Sequence, residues 1–152
     1  MVARQGKGYG GGLSAAGTGA YVPAMSDFVA LTVFAGLPVR NLDSAIQWYP
    51  QVFGPAPDGR PTPLIADYNL GASQIPENGT LQLREDAGRA GGGLTTINVD
   101  DIEVVAQALE ALHVSLETQR FPIEAATVSA VTVGTFEVPD GNAITVVQPH
   151  RL

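Results

Sequence analysis

Four polar side chains in strand-like segments are the residues of this sequence best suited to acid–base chemistry: Asp67, Tyr68, Arg84 and Glu137. A positioned carboxylate serves as a general base, and a phenol as a proton donor. Glu137 closes an apolar run, where burial would favour its protonated form. The same position is more typical of an exposed carboxylate beside a turn. Glu137 and Asp67 are therefore candidate bases, and the sequence identifies no catalytic residue beyond them.

Other kinds of catalytic chemistry are excluded by residue type. The chain has no cysteine, so it can form no disulfide, thiolate nucleophile or zinc–thiolate centre. Its two histidines, His113 and His150, lie near a predicted helix end and near the last residue. No serine occupies a strand-to-helix elbow, so no nucleophilic triad is indicated.

Charge and hydropathy restrict the partners. Fifteen acidic residues against eight basic ones give a net charge of −7. An acidic chain repels phosphate backbones, so we expect no nucleic-acid partner. No apolar run reaches the roughly 18 to 20 residues that a membrane span needs. With no signal-peptide pattern either, the sequence predicts a cytoplasmic protein that does not enter membranes.

The segment 1–24 differs from the rest of the chain in composition. Seven of the first twenty residues are glycine, and Leu13 is the only large aliphatic residue between Ala3 and Ala20. Such a segment buries too little apolar surface to offset its chain entropy. We therefore expect residues 1–24 to form a flexible extension and residues 25–152 to form a single domain.

An internal repeat organises that domain. A β-rich run at 28–39 precedes Asn41, a good helix N-cap. At an offset of 60 a second β-rich run, 94–99, precedes Asp100, which we predict to be an N-cap with Glu103 at capping-box spacing. Both helices show apolar residues at helical spacing, and Pro50 is expected to kink or end the first. The predicted apolar faces are Leu42, Ala45, Ile46, Tyr49 and Phe53, and then Ile102, Val105, Leu109 and Leu112.

Shorter strand signals follow each helix. The predicted strands are 63–70 and 80–84 in the first half, and 115–121, 128–138 and 143–148 in the second. Turns at 76–79 and 139–142 recur at an interval close to the helix offset. The sequence therefore predicts an α+β fold of two βαβββ modules, about 28–85 and 94–148, joined by a glycine-rich linker at 86–93. The modules should form a curved mixed sheet around a pocket.

The order of these motifs resembles the vicinal oxygen chelate superfamily, also described as glyoxalase, bleomycin-resistance and extradiol dioxygenase domains. The resemblance covers residues 28–148, and within the superfamily the sequence resembles short actinobacterial members. It implies the two-module fold and a homodimer that shares its pockets. The segments that carry it are Leu37 to Ala45, Trp48-Tyr49, Phe53-Gly54, Val99 to Ile102 and Val138 to Gln148.

The resemblance also indicates where a metal would bind. Superfamily enzymes take metal ligands from four strand positions, which the pattern carries onto Phe34, Gln82, Leu94 and Thr145. Two of these are hydrocarbon side chains, whereas divalent metals need histidine, carboxylate or comparable donors. The sequence therefore predicts a metal-free pocket with no cofactor.

The predicted function is metal-independent binding of a small aromatic or amphipathic metabolite or antibiotic, as in the resistance members of the superfamily. The alternatives are a metal-independent isomerase, cyclase or lyase that uses Glu137 or Asp67 as base, and a degenerate stability or interaction module. Core packing explains most of the apolar candidates equally well. The predicted ligand-binding residues are Phe34, Trp48, Tyr68, Gln82, Arg84, Leu94, Phe136 and Thr145.

Overall fold

A computed structural model describes residues 32–54, 56–70 and 79–152. The chain divides into two units, Met1–Ala30 and Leu31–Leu152, and the described residues belong to the second. The predicted flexible extension and the predicted first residues of the first strand, 28–31, lie outside the described residues. None of the described helices is long and apolar enough to cross a membrane.

The predicted α+β architecture of two βαβββ modules is confirmed. Module one forms a four-stranded sheet in the order β1-β4-β3-β2, and module two forms one in the equivalent order β5-β8-β7-β6. In each sheet the first two strands of that order are parallel and the others are antiparallel. Module one comprises β1 (Phe34–Val39), α1 (Leu42–Trp48), α2 (Pro50–Phe53), β2 (Gly59–Thr62), β3 (Ile65–Asn69) and β4 (Thr80–Glu85). Module two comprises β5 (Leu94–Asn98), α3 (Ile102–Ala111), β6 (Thr118–Pro122), β7 (Val128–Glu137) and β8 (Ala143–Arg151).

Strand β2 was not predicted. Its sequence, Gly-Arg-Pro-Thr, has no apolar alternation and contains a proline that cannot donate to a neighbouring strand. Proline is tolerated at a sheet edge, which is where β2 lies. Only the position of β3 makes this segment a strand.

The boundaries of the first helix follow the sequence. Asn41 has extended backbone angles, and its side chain accepts a hydrogen bond from the Ser44 amide at 2.8 Å. Helix α1 ends at Trp48, and Pro50 begins the short helix α2, as the missing amide of proline predicts. Gly54 closes α2 with a φ of 85°, a conformation that favours glycine.

The predicted N-cap of the second helix was wrong by one position. Asp101, rather than Asp100, has the extended cap conformation, and its side chain accepts from the Glu103 amide at 3.0 Å. The repeat offset of 60 pairs Asn41 with Asp101. The duplicated pattern was therefore a better guide to this boundary than the local capping-box spacing.

Each long helix also receives a cap from the last strand of its own module. The Glu85 carboxylate accepts from the Leu42 amide at 2.9 Å, and the Gln148 side-chain oxygen accepts from the Ile102 amide at 3.1 Å. These two caps are separated in sequence by the same interval as the two predicted turns. In module one the strand supplies a carboxylate (Glu85) and the N-cap residue an amide side chain (Asn41). In module two the strand supplies the amide side chain (Gln148) and the N-cap residue the carboxylate (Asp101). The N-terminus of each of these helices therefore has one capping carboxylate, which interacts favourably with the helix dipole.

The two modules meet around a buried asparagine. Asn142 is fully buried, and its side-chain oxygen accepts hydrogen bonds from the amides of Gly91 and Gly93 at 3.1 and 2.8 Å. Its side-chain nitrogen donates to the Pro38 carbonyl at 2.6 Å. One side chain thus joins strand β1, the linker and the turn between β7 and β8. The helix-covered sides of both sheets contribute to a single hydrophobic core that lies beside it.

Candidate functional site

Strand alternation divides each sheet into a helix-covered face and an opposite face, which we call the open face. On the helix-covered side, residues such as Leu37, Leu83 and Val146 are completely buried. The open face of the first sheet carries Phe34, Gly36, Asp67, Asn69, Thr80, Gln82 and Arg84. The open face of the second sheet carries Leu94, Thr96, Asn98, Thr135, Glu137 and Thr145.

A polar row crosses the open face of module one. Gly36, Gln82 and Asp67 lie opposite one another on three neighbouring strands. The Gln82 side-chain amide donates to the Asp67 carboxylate at 2.9 Å. Apart from the chain neighbours of Gly36, no heavy atom of the described residues lies within 4 Å of the position that a Cβ would occupy on Gly36. An amide and a carboxylate are therefore held in fixed orientation beside a position that the described part of the chain leaves open.

The equivalent row crosses the open face of module two. It consists of Thr96, Thr145 and Thr135, and the hydroxyls of the last two lie 2.9 Å apart. Thr96 and Thr145 are the repeat equivalents of Gly36 and Gln82, at the same offsets that relate the two helices and the two turns. Each module therefore carries a hydrogen-bonded polar pair at the centre of its open face.

The four positions that the resemblance assigns to a metal all lie on the open faces. Leu94 is 75% exposed and Phe34 is 47% exposed, so neither is a core residue. Their side chains have no donor atom, and Gln82 and Thr145 are already hydrogen-bonded to neighbours. Among the described residues no three histidine, aspartate or glutamate side chains are grouped to hold an ion. This donor set does not fit a divalent cation.

The candidate bases also belong to the open faces. Asp67 is half-buried and bonded to Gln82, whereas Glu137 and Arg84 are exposed. Glu137 ends β7 beside the turn, so of the two environments considered for it the structure shows the exposed one. Neither carboxylate takes part in an ion pair with a described residue.

Three of the predicted ligand-binding residues lie on the other side of the sheets. Tyr68 and Phe136 point into the helix-covered core, with 0% and 3% exposure. Trp48 lies on α1 and packs edge-on against the ring of Tyr49, with centroids 5.5 Å apart. Alternation alone separates Tyr68 from Asp67 and Phe136 from Glu137, because adjacent strand residues face opposite sides. The same rule would have drawn attention to Gly36 and Thr135, which the sequence reasoning missed.

We predict that Tyr68→Phe leaves the protein as stable as before or stabilises it, because the buried Tyr68 hydroxyl has no hydrogen-bond partner among the described residues. We expect a gain in the free energy of unfolding of no more than about 1 kcal/mol. Burial raises the pKa of Tyr68 to about 12, from an ordinary value near 10. Below about pH 10 both the folded and the unfolded chain keep the Tyr68 proton, so the free energy of unfolding does not depend on this group. As pH rises from about 10 toward about 12, only the folded chain keeps the proton, and the free energy of unfolding of the wild type falls.

Denaturant unfolding of the wild type and Tyr68→Phe from neutral to alkaline pH measures both effects. The variant should lose less stability than the wild type across the alkaline window. A variant clearly less stable at neutral pH would mean that the hydroxyl has a hydrogen-bond partner.

A cavity of about 370 Å³ lies where β1, β4 and β5 meet, so it touches both open faces. Thr80 belongs to the first open face, and Thr96 and Asn98 to the second. Thr95, Gly79 and aliphatic residues complete its walls. Val33, one of the aliphatic residues, is 78% exposed. The cavity is therefore amphipathic and large enough for a small organic molecule.

Comparison with known proteins identifies the fold. No family model matches the sequence, and no curated protein does. Among solved structures, a glyoxalase/bleomycin resistance protein from Catenulispora acidiphila is 24% identical with a TM-score of 0.61, covering 78% of this chain and 98% of its own. A bleomycin-binding protein complexed with bleomycin is 17% identical, with a TM-score of 0.55 and coverage of 77% and 97%.

A bleomycin resistance determinant encoded on the transposon Tn5 is 15% identical, with a TM-score of 0.55 and coverage of 77% and 96%. The described chain has the fold shared by these glyoxalase and bleomycin-resistance structures. The resemblance stated from the sequence is thereby confirmed at the level of the fold.

Proposed function

We propose that this protein binds a small amphipathic molecule on its open faces without a metal ion and sequesters it, as a resistance protein does. The observation that carries the proposal is the pair of hydrogen-bonded polar rows at equivalent positions, Gln82 with Asp67 and Thr145 with Thr135. Oriented polar groups beside exposed apolar ones are what a binding site uses to fix an amphipathic ligand. The bleomycin-binding relative supports this class of ligand.

The chemistry of the open faces favours an amphipathic ligand over a purely aromatic one. Of the aromatic residues predicted to bind the ligand, Phe34 is the one found there, and Leu94 adds an exposed aliphatic surface. Amides, hydroxyls and the Asp67 carboxylate make up most of the rest. We therefore propose that Phe34 and Leu94 contact the apolar part of the ligand, and that Gln82, Arg84 and Thr145 bind its polar part.

We also propose a homodimer that completes the site. Four cavities of about 200 to 550 Å³ among the described residues are lined by neither Gln82 nor Thr145. The exposed hydrocarbon of Phe34 and Leu94 would be covered if a second copy packed an open face against them. A binding trough closed between two copies would bury both polar rows, which a single chain leaves open on one side.

The test is native mass spectrometry of the protein purified from its own host, which measures the subunit number and any co-purifying small molecule. We expect a dimer that carries an organic ligand and no stoichiometric divalent metal. Stoichiometric zinc, nickel or iron would contradict metal-free binding. A monomer that releases no small molecule would contradict the shared site.

We predict that enlarging the central residue of either row, by Gln82→Phe or Thr145→Phe, weakens binding of the co-purified molecule by roughly tenfold or more. The phenyl ring would occupy space that the ligand needs, and the substitution removes the hydrogen bond of the replaced side chain. Isothermal titration gives the affinity, and circular dichroism shows that the fold persists. Val104→Phe on the exposed surface of α3 is the matched control, because Val104 is 62% exposed away from both rows. Equal affinity in all three variants would place the site elsewhere.

A further inference from the structure

A second, smaller cleft separates α1 of module one from the turn between β7 and β8 of module two. We call it the module cleft, and its volume is about 200 Å³. It shares no residue with the open faces. Its walls are Arg40, Asn41, Ser44, Ala45, Trp48, Tyr49, Pro139 and Asp140.

The carboxylate of Asp140 is the incompletely paired charge in this cleft. Its side chain is only 16% exposed, yet its nearest cationic atom, Nε of Arg40, is 3.8 Å away. One oxygen, Oδ1, accepts from the Arg40 backbone amide at 3.1 Å. The other accepts no hydrogen bond from any residue that the structure describes. A largely buried carboxylate with so loose a counterion attracts a better-placed cation.

The rest of the cleft supplies the apolar half of a site for such a cation. Trp48 forms one half-buried wall, and Ala45 and Pro139 add aliphatic surface. An indole face is the strongest aromatic partner for an organic cation. Tyr49 also lines the cleft. Burial together with the nearby Asp140 carboxylate raises its pKa well above the ordinary value, so its phenol stays neutral and Asp140 supplies the negative charge of the cleft.

We propose that the module cleft binds a small organic ammonium ion, with its charged nitrogen at Asp140 and its apolar group against Trp48. The net charge of −7 on the chain attracts such cations. The Arg40 side chain is 67% exposed and free to swing into solvent when the ligand displaces it. Because the cleft joins the two modules beside Asn142, an occupant stabilises the junction between them. The proposal does not depend on ligand binding at the open faces.

Trp48 is the only tryptophan of the chain, so its fluorescence reports this cleft alone. The test titrates the full-length protein with benzylamine, using benzyl alcohol and benzoate as the neutral and anionic controls. We expect benzylamine to change the Trp48 emission saturably and to raise the melting temperature, while the two controls do neither at the same concentrations. No saturable change, or an equal response to benzyl alcohol or benzoate, would overturn the proposal.

Two substitutions separate the roles of the ionic groups. Asp140→Asn keeps the backbone hydrogen bond but removes the charge, so the affinity for benzylamine should fall roughly tenfold. Arg40→Gln removes the competing cation, so the affinity should rise about two- to threefold. Asp43→Asn, which removes a carboxylate from α1 outside the cleft, is the matched control and should bind as the wild type does.

If Asp140→Asn were to misfold, Ser44→Leu provides the alternative, because it fills the cleft from an exposed helix position. It should abolish the response to benzylamine without loss of helix. Unchanged affinity in a folded Asp140→Asn or Ser44→Leu variant would show that the cleft does not recognise the ammonium ion.

Discussion

Asn142→Ala is expected to lower the free energy of unfolding by about 3 to 5 kcal/mol, because it leaves three backbone groups of half-buried residues without partners. These groups are the amides of Gly91 and Gly93 and the carbonyl of Pro38. Each was bonded to a side chain with no exposure to water. For a chain of this length the melting temperature should fall by roughly 10 °C. Denaturant unfolding and calorimetry measure the two quantities.

Asn98→Ala is the matched control for that substitution. Asn98 is an exposed asparagine in β5, and its loss should change stability by less than about 0.5 kcal/mol. If Asn142→Ala were as mild as Asn98→Ala, the junction between the modules would not depend on this side chain. The prediction concerns stability alone, since Asn142 lies on neither open face.

Gly91→Ala is expected to destabilise the protein by about 3 kcal/mol, through both backbone strain and a collision. Gly91 has a φ of 88°, a conformation that residues with a side chain rarely adopt. A Cβ there would lie 2.6 Å from the backbone oxygen of Asp140. Because that oxygen belongs to the main chain of the neighbouring turn, the turn between β7 and β8 would have to move.

Gly88→Ala tests the same change earlier in the linker. Its Cβ would meet only the Asp86 carboxylate, at an ordinary contact distance of 3.6 Å. We expect Gly88→Ala to be neutral or slightly stabilising, because alanine reduces the freedom of the unfolded chain. Equal effects of the two substitutions in thermal unfolding would show that the close approach at Gly91 is unimportant.

The module plan could be predicted from the sequence because it rests on local signals repeated at constant offsets. Caps, apolar helix faces and turn residues depend on nearby neighbours in the chain, and their recurrence at nearly the same interval identifies the duplication. Even the error at Asp100 was correctable from the repeat, since Asn41 pairs with Asp101. Strand β2 was missed because its sequence carries no signal of its own and its pairing with β3 creates it.

The candidate site shows the opposite balance. The assignment of Phe34, Gln82, Leu94 and Thr145 to strand positions followed from the motifs, and the lack of metal donors among them followed from residue type alone. Which aromatic side chains lie on the open faces did not follow, because Trp48, Tyr68 and Phe136 suit a core and a pocket equally well. The pairing register resolves this, since it fixes which side of the sheet the helices cover.

For the candidate bases, the sequence determined which residues have the chemistry to transfer a proton, and the tertiary structure decided their surroundings. Asp67 is bonded to Gln82 across two strands, and Glu137 is exposed beside its turn. Residue type sets what a group can do, but its partners are separated widely in sequence and meet only when the sheet forms. The same reason explains the module cleft, where Trp48 and Asp140 come together only through the packing of the two modules.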